Sequence, residues 1–317
     1  MQNGKCDAPL SGKPDMSNAV KKNLAASVRQ RLLTISQQQG EPFDLVLTRY
    51  GIERLLYRLS QSSYAKYFLL KGAMLFRVWS AATHRPTRDL DLLGVNPTDL
   101  NEVVKTFREI CMTPVKADGI EFLAETLKAE LIREETAYGG IRVFVEARLG
   151  NARIHIQTDI GHGDAVTPEP ETVQFPALLD FPAPQLRCYP VYTVVAEKLE
   201  ALVLLGEANS RMKDFYDLWY LSRNFEFEGS ILVTAILATF TRRKTQLPKD
   251  IPTGLRDEFA RLKLVQWNAF SRKCHLEATD MQSTLREIRK FTWQPLRAAF
   301  NDDQFSSSWK PTFGWVD

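Results

Sequence analysis

Cysteine and histidine are scarce in this chain and are not spaced for metal binding. The 4 cysteines lie far apart without a CxxC pair, which excludes a zinc ribbon and argues against a disulfide framework. The 4 histidines include no HxxxH pair, so metal binding through imidazole is not expected. This cysteine usage suits a reducing compartment, and we expect a cytoplasmic protein.

Long apolar runs and a strong net charge are also missing. The longest apolar stretch, near residues 231–240, is far shorter than the roughly 20 residues that a membrane helix requires. The first residues lack the apolar segment of a signal peptide, so neither export nor membrane insertion is expected. Lys and Arg number 41 against 38 Asp and Glu, a net charge of +3. That balance does not call for a nucleic-acid partner, so any RNA contact must be local.

The composition is that of a globular protein with room for two modest domains, at 317 residues with 44% hydrophobic and 25% charged residues. Apolar residues at helical spacing predict helices over 18–39 and 45–60. A short apolar segment, 67–70, predicts a buried strand or turn, and a helix over 73–80 follows it.

Two strands joined by a tight turn are the clearest local prediction. They cover 141–149 and 152–160, on either side of Gly150-Asn151. Prolines are frequent over 165–190, which suits an extended connection. Beyond that connection the spacing predicts helices over 194–205, 213–223, 230–241, 255–269 and 281–300.

These patterns predict an α+β fold in three parts. Residues 1–17 form a flexible tail, and residues 18–190 form an α/β part with a small mixed sheet flanked by helices. Residues 191–317 form an all-helical part.

The segment RDLDLL at 88–93 alternates charge and leucine. As a strand it places Asp89 and Asp91 on one face, where two carboxylates can converge on a hard cation such as Mg²⁺. Asp159, at the far end of the second hairpin strand, can supply a third carboxylate. The alternative is a solvated strand face, because a DxD pattern is short and common.

Lys71, Gly72 and Ala73 lie between the apolar segment and the next predicted helix. Glycine lets the backbone approach a phosphate closely, and the N–H groups at a helix start attract anions. The alternative is an ordinary strand-to-helix turn that contains a glycine.

Lys198 occupies an apolar stripe of a predicted helix, together with Val194, Leu202 and Leu205. Lysine is rarely buried without a partner, so Lys198 is a candidate functional residue. The competing interpretation is a side chain whose stem packs while its ammonium reaches water.

Asp214 and Asp217 lie three residues apart at the start of another predicted helix. Both fit the spacing of a functional carboxylate on that helix. Acidic residues in a first turn also stabilise a helix through its dipole, so a plain surface helix is the alternative.

Taken in order, five segments resemble the AbiEii/AbiGii-type nucleotidyltransferase family, the toxin halves of bacterial type IV toxin–antitoxin and phage-defence pairs. They read LLKGAMLFRVW, RPTRDLDLLG, IQTDIGHGDAVTP, AEKLEALVLLG and NSRMKDFYDLWYL. Each segment alone is weak, but five in series over roughly residues 45–225 are specific.

The resemblance implies a nucleotidyltransferase fold that holds a nucleoside triphosphate (NTP) and Mg²⁺. Carried over by position, the nucleotide-binding residues are Lys71, Gly72, Ala73, Arg88 and Lys198. The metal ligands are Asp89, Asp91 and Asp159, and the catalytic set is Asp89, Asp91, Asp159, Lys198 and Asp214, with Asp217 as the alternative to Asp214. Gly72-Ala73 replaces the family's glycine-glycine or glycine-serine turn, so a serine hydroxyl contact to phosphate is absent.

The implied activity is transfer of a nucleoside monophosphate from an NTP to an acceptor, with release of pyrophosphate. The resemblance implies the 3′ end of tRNA as acceptor and a cognate antitoxin as partner. Basic residues of the C-terminal helices, with Trp267 and Trp293 for stacking, offer local support for RNA; the densest cluster is Arg242, Arg243 and Lys244. Solvated helix faces explain the same residues equally well. The alternatives are transfer onto a protein hydroxyl and a non-catalytic module that binds nucleotide or antitoxin.

Overall fold

The computed structural model describes residues 16–80, 85–95, 99–132, 139–276 and 280–317, with side chains from residue 23 onward. Most of the expected tail, and with it Cys6, lies outside these residues, as does His84. The chain opens with two helices, α1 (Met16–Gln39) and α2 (Phe43–Gln61), close to the predicted bounds.

Within the described residues, seven strands form one mixed sheet in the order β3-β4-β5-β2-β1-β7-β6. The pairs β2/β5 and β1/β7 are parallel and the other neighbours are antiparallel. The bounds are β1 (Phe68–Lys71), β2 (Asp89–Gly94), β3 (Ile120–Ile132), β4 (Gly140–Leu149), β5 (Ala152–His162), β6 (Glu171–Gln174) and β7 (Gln185–Cys188). The predicted hairpin is β4 and β5, and the DxD segment is β2.

One face of this sheet is covered by α2 and α4 (Leu100–Cys111), which contact each other. At Gly51 of α2, an added Cβ would come within 3.0 Å of Ile154 and Ile156 on β5, so the helix lies directly on the sheet. Ile154, Ile156 and Ile160 are buried on that face, and burial of each contributes about 1.5–3 kcal/mol. Asp159, which alternates with them, lies on the opposite face.

The C-terminal part is mainly helical, as the pattern predicts. Its long helices are α5 (Val191–Leu205), α6 (Met212–Asn224), α7 (Gly229–Arg243), α8 (Asp257–Cys274) and α9 (Met281–Asn301). Three short strands, which the sequence did not indicate, form a second sheet: β8 (Phe227–Glu228), β9 (Ser308–Lys310) and β10 (Gly314–Val316). Among the helices that the structure describes, none has the length and apolar character needed to cross a membrane.

Two parts of the large sheet differ from the sequence expectations. The proline-rich connection contains β6 and β7, which are four residues each and too short to show alternation between prolines. The 13-residue strand β3 is rich in Ala, Glu, Leu and Lys, which favour helix, and its pairing with β4 overrides that preference. The predicted boundary at residue 190 falls between β7 and α5.

Candidate active site

Four charged side chains form one row across the sheet, on the face opposite α2. Arg142 pairs with Asp159, Asp159 with Asp91, and Asp91 with Lys71, on strands β4, β5, β2 and β1. Directly paired residues of neighbouring strands point to the same face, so the row reads cation, acid, acid, cation. The structure therefore brings Asp91 and Asp159 side by side, with Asp89 two residues before Asp91 on the same face.

Gly72 lies against the middle of this row, at the end of β1. Its φ of +71° favours glycine, and an added Cβ would lie 2.0 Å from Oδ2 of Asp91. The chain then forms a 3₁₀ turn over Gly72–Met74 and the short helix α3 (Leu75–Trp79), in place of the single helix that the pattern predicts. Ala73 is buried in that turn. A side chain at residue 72 would therefore displace the Asp91 carboxylate.

The Asp89 and Asp91 carboxylates lack a protein cation of their own. In the described part of the chain, neither side chain has an ion pair within 4.0 Å, and Asp89 is the more exposed of the two. Burial, and then the charge of Asp159, raise the pKa of Asp89. Burial also raises the pKa of Asp91, against the lowering effect of Lys71 and Lys213. Two crowded carboxylates without a partner are a donor set that fits a hard divalent cation.

Asp159, the predicted third metal ligand, is bound by a protein cation. Arg142 donates from Nε to Oδ1 at 2.8 Å and from Nη2 to Oδ2 at 2.7 Å, and Gln157 donates to Oδ1 at 3.1 Å. Across the described residues, no three Asp, Glu, His or Cys side chains are arranged to hold a metal ion. The structure therefore favours Asp89 and Asp91 as the groups that would hold Mg²⁺.

Lys71 lies in an ionic network next to the row. Its Nζ atom is 2.7 Å from Asp164 and 3.5 Å from Glu197 on α5. Arg243, the last residue of α7, joins the same network at 3.0 Å from Asp164 and 2.9 Å from Glu200. Burial opposes the charge of Lys71, but these carboxylates raise its pKa overall. Lys71, which the resemblance places at the nucleotide, is thus already neutralised by the protein.

Lys198 also binds carboxylates rather than reaching water. Its side chain is 13% exposed, and its Nζ atom lies 2.8 Å from both Asp214 and Asp217 on α6. Asp217 is also bound by Arg85, which donates to both of its oxygens at 2.7 and 2.8 Å. Arg211 lies 2.6 Å from Asp214. The geometry does not separate Asp214 from Asp217, because Lys198 contacts both at the same distance.

Lys213, which the sequence analysis did not select, is an exposed cation at the start of α6, and its charge acts on Asp89 and Asp91. Only its position beside Asp214 signals it in the sequence. Arg88 forms an exposed ion pair with Asp44 of α2 at 2.7 Å, away from the row.

The cluster of three basic residues expected to bind RNA is not uniform. Arg243 belongs to the Lys71 network, and Arg242 donates to the Gly163 carbonyl, whereas Lys244 is exposed just after α7. Trp267 is 2% exposed, which removes it from a stacking role, and Trp293 is partly buried.

No curated protein sequence matches this chain. A solved structure from Helicobacter pylori, named as a candidate nucleotidyltransferase, is 15% identical, with a TM-score of 0.42 over 78% of this chain and 92% of that chain. JHP933 from the same organism is 14% identical, with a TM-score of 0.41 over 78% and 90%.

Most of the chain matches one family. Residues 54–302 match the model of the nucleotidyl transferase AbiEii toxin of the type IV toxin–antitoxin system. The matched range contains the row of charged residues, the Gly72 turn, the Lys71 network and the carboxylates bound by Lys198. The resemblance seen in the five sequence segments is confirmed, and the chain belongs to the AbiEii nucleotidyl transferase toxin family.

Proposed function

We propose that the protein is a Mg²⁺-dependent toxin that transfers a nucleoside monophosphate from an NTP to an acceptor and releases pyrophosphate. The observation that carries the proposal is the pair of carboxylates, Asp89 and Asp91, which share a strand face and form no ion pair among the described residues, with Asp91 directly against Gly72. Nucleotidyl transfer depends on positioning and on neutralising phosphate charge, so these are the parts the reaction needs.

In the proposed reaction, an acceptor hydroxyl oxygen forms a bond to the α-phosphorus of the NTP. The bond between the α-phosphorus and the bridging oxygen to the β-phosphate breaks, pyrophosphate leaves, and the hydroxyl proton is released. Mg²⁺, held by Asp89 and Asp91, would neutralise phosphate charge. Lys213 is an exposed cation whose charge acts on both carboxylates, and we assign it to the triphosphate.

Lys198 acts in this proposal by holding α6 in place. Its two ion pairs, with Asp214 and Asp217, fix the first turns of the helix that carries Lys213. Arg85 binds Asp217 from the segment just before β2, so the same contacts join α6 to the DxD strand. The lysine and acid that the family resemblance singles out would therefore support the nucleotide site as a positioned pair.

For the acceptor we propose the 3′ end of tRNA. The support is local, and consists of exposed basic residues on α8 and α9: Arg272, Lys273, Arg286 and Lys290. Such residues can follow a phosphate backbone. Membership in a toxin–antitoxin family makes an antitoxin the expected protein partner.

A single labelling experiment separates this proposal from its alternatives. The protein is incubated with each labelled NTP, Mg²⁺, total RNA and total protein, and the fractions are then separated. Label in RNA of tRNA size supports the proposal, and label in protein supports transfer onto a protein hydroxyl. Label in neither fraction, with NTP binding retained, would favour the non-catalytic module.

A further inference from the structure

Arg142 stands at one end of the charged row, in full contact with Asp159. Its guanidinium meets both carboxylate oxygens at 2.8 and 2.7 Å, in the paired geometry that Arg forms with carboxylates. The two side chains are 31% and 22% exposed, so the pair lies at the edge of the site rather than on the open surface. Any second cation that used Asp159 as a ligand would have to displace or crowd this guanidinium.

The charges of the site favour a single divalent cation. Asp89, Asp91 and Asp159 together carry three negative charges, and Arg142 neutralises one of them. The two that remain match one divalent ion. The charge of Arg142 also reaches Asp89, where it favours the ionised form, so it belongs electrostatically to the same site.

The simplest alternative is that Arg142 and Asp159 are an ordinary cross-strand pair that stabilises the hairpin. The hairpin does not require opposite charges at its paired positions, because Arg148 lies directly opposite Arg153. Two like charges are tolerated there, six residues along β4 from Arg142. Glu146 and His155, also opposite each other on this hairpin, approach only to 3.7 Å and the histidine is largely exposed, whereas Arg142 contacts both oxygens of Asp159. The bidentate ion pair therefore lies at the carboxylate row.

We propose that Arg142 restricts the site to one divalent cation, bound by Asp89 and Asp91, by occupying the carboxylate of Asp159. Arg142 is then a positioning residue that stands where a second cation would otherwise bind. The inference rests on the proposed function, in that it takes Asp89 and Asp91 as the metal ligands.

The test titrates Mn²⁺ into the intact protein without nucleotide. The electron paramagnetic resonance signal of free Mn²⁺ gives the number of ions bound. We expect one Mn²⁺ for the native protein, two for Arg142→Gln, and one for Arg142→Lys, which keeps the charge. Arg148→Gln, on the same strand and face, is the matched control and binds one. Circular dichroism verifies that each variant folds.

The double variant Arg142→Gln/Asp159→Asn covers the case in which Arg142→Gln does not fold, because it removes the pair without changing the net charge. We expect one Mn²⁺ with affinity within about twofold of the native value, since the pair carries no net charge and, in this inference, neither residue ligates the ion.

Five results would overturn the inference, and they separate it from the proposed function. Two Mn²⁺ in the native protein, or one in folded Arg142→Gln, defeats the role of Arg142 and leaves the Asp89 and Asp91 site standing. An affinity loss of about tenfold or more in the double variant means that the first ion depends on Asp159, as a ligand or as a residue that positions a ligand, and contradicts a site formed by Asp89 and Asp91 alone. No binding to the native protein, or undiminished binding in Asp91→Asn, defeats the metal site of the proposed function.

Discussion

Oδ2 of Asp91 lies 2.0 Å from the place where a Cβ on residue 72 would be. The two residues come from strands β1 and β2, and the register that pairs Lys71 with Asp91 brings the carboxylate over the glycine. Because Gly72 also has a positive φ, its substitution affects the backbone and the carboxylate together. These two effects can be separated with a second glycine.

We expect Gly72→Ala to lose stability and activity, and Gly40→Ala to lose stability alone. Both glycines have similar left-handed φ angles, +71° and +64°, so each alanine costs about 1–2 kcal/mol of backbone strain. Gly40 has nothing within 4 Å of an added Cβ, which makes it the matched control. Urea unfolding and a labelled-NTP assay measure the two properties. Equal activity in the two variants would show that the position of Asp91 does not matter for transfer.

We expect Asp91→Asn to abolish transfer and to raise the free energy of unfolding at neutral pH. Burial raises the pKa of Asp91 in the folded chain, so its ionised form destabilises the native state. The destabilising contribution of Asp91 is therefore present above this raised pKa and is lost as the pH falls through it.

Unfolding curves over a pH series, from neutral pH down to the ordinary pKa range of an aspartate, check this, because the stability advantage of Asp91→Asn should shrink as the pH falls. Mg²⁺ should raise the melting temperature of the native protein and leave that of the variant unchanged. An Asp91→Asn protein that is less stable than the native one at neutral pH would contradict the expectation.

We expect Lys198→Ala to destabilise the fold by about 3–5 kcal/mol, because it leaves two buried carboxylates facing each other without their shared cation. Arg261→Ala is the control, since it breaks an exposed ion pair with Glu258 on α8 and should change stability little. Denaturant unfolding gives both values. A native-like stability for Lys198→Ala would mean that Arg211 and Arg85 are sufficient to neutralise Asp214 and Asp217.

We expect Lys213→Ala to leave stability unchanged and to weaken NTP binding by about tenfold, the size of a lost hydrogen bond to a charged group. Lys213 is exposed, so little packing is lost with it. Lys105→Ala removes an equally exposed lysine from α4, which packs with α2 on the other side of the sheet, and should not affect binding. Calorimetric titration of each variant with NTP, in the presence of Mg²⁺, measures the two affinities. Equal affinities would remove Lys213 from the triphosphate site.

Local patterns were sufficient to predict most of the fold and the centre of the site. Alternation placed Asp89 and Asp91 on one strand face, and helical spacing placed Lys198 and Asp214 on helices that the structure contains. Even the contact between Arg142 and Asp159 could have been read from the sequence. The turn at Gly150-Asn151 fixes the hairpin register, and that register sets these two residues opposite each other.

The ionic partners that come from distant segments could not be predicted in this way. Lys71 meets Asp164, 93 residues away, and Arg85 meets Asp217, 132 residues away. Each of these charges occurs in an ordinary local context, and only the packing of the helices against the sheet brings the partners together. For the same reason the sequence does not reveal the two carboxylates that contact Lys198, Asp214 and Asp217.

The network around Lys71 bears on how such a chain can be divided or recombined. Lys71 and Asp164 come before residue 190, whereas Glu197, Glu200 and Arg243 come after it. A fragment that ends at residue 190 would expose the charged interior of this network to solvent, and a chimera that joins halves of two relatives would have to match five ionic residues at once. A chimera should therefore take the segments around residues 71, 164, 197, 200 and 243 from the same parent protein.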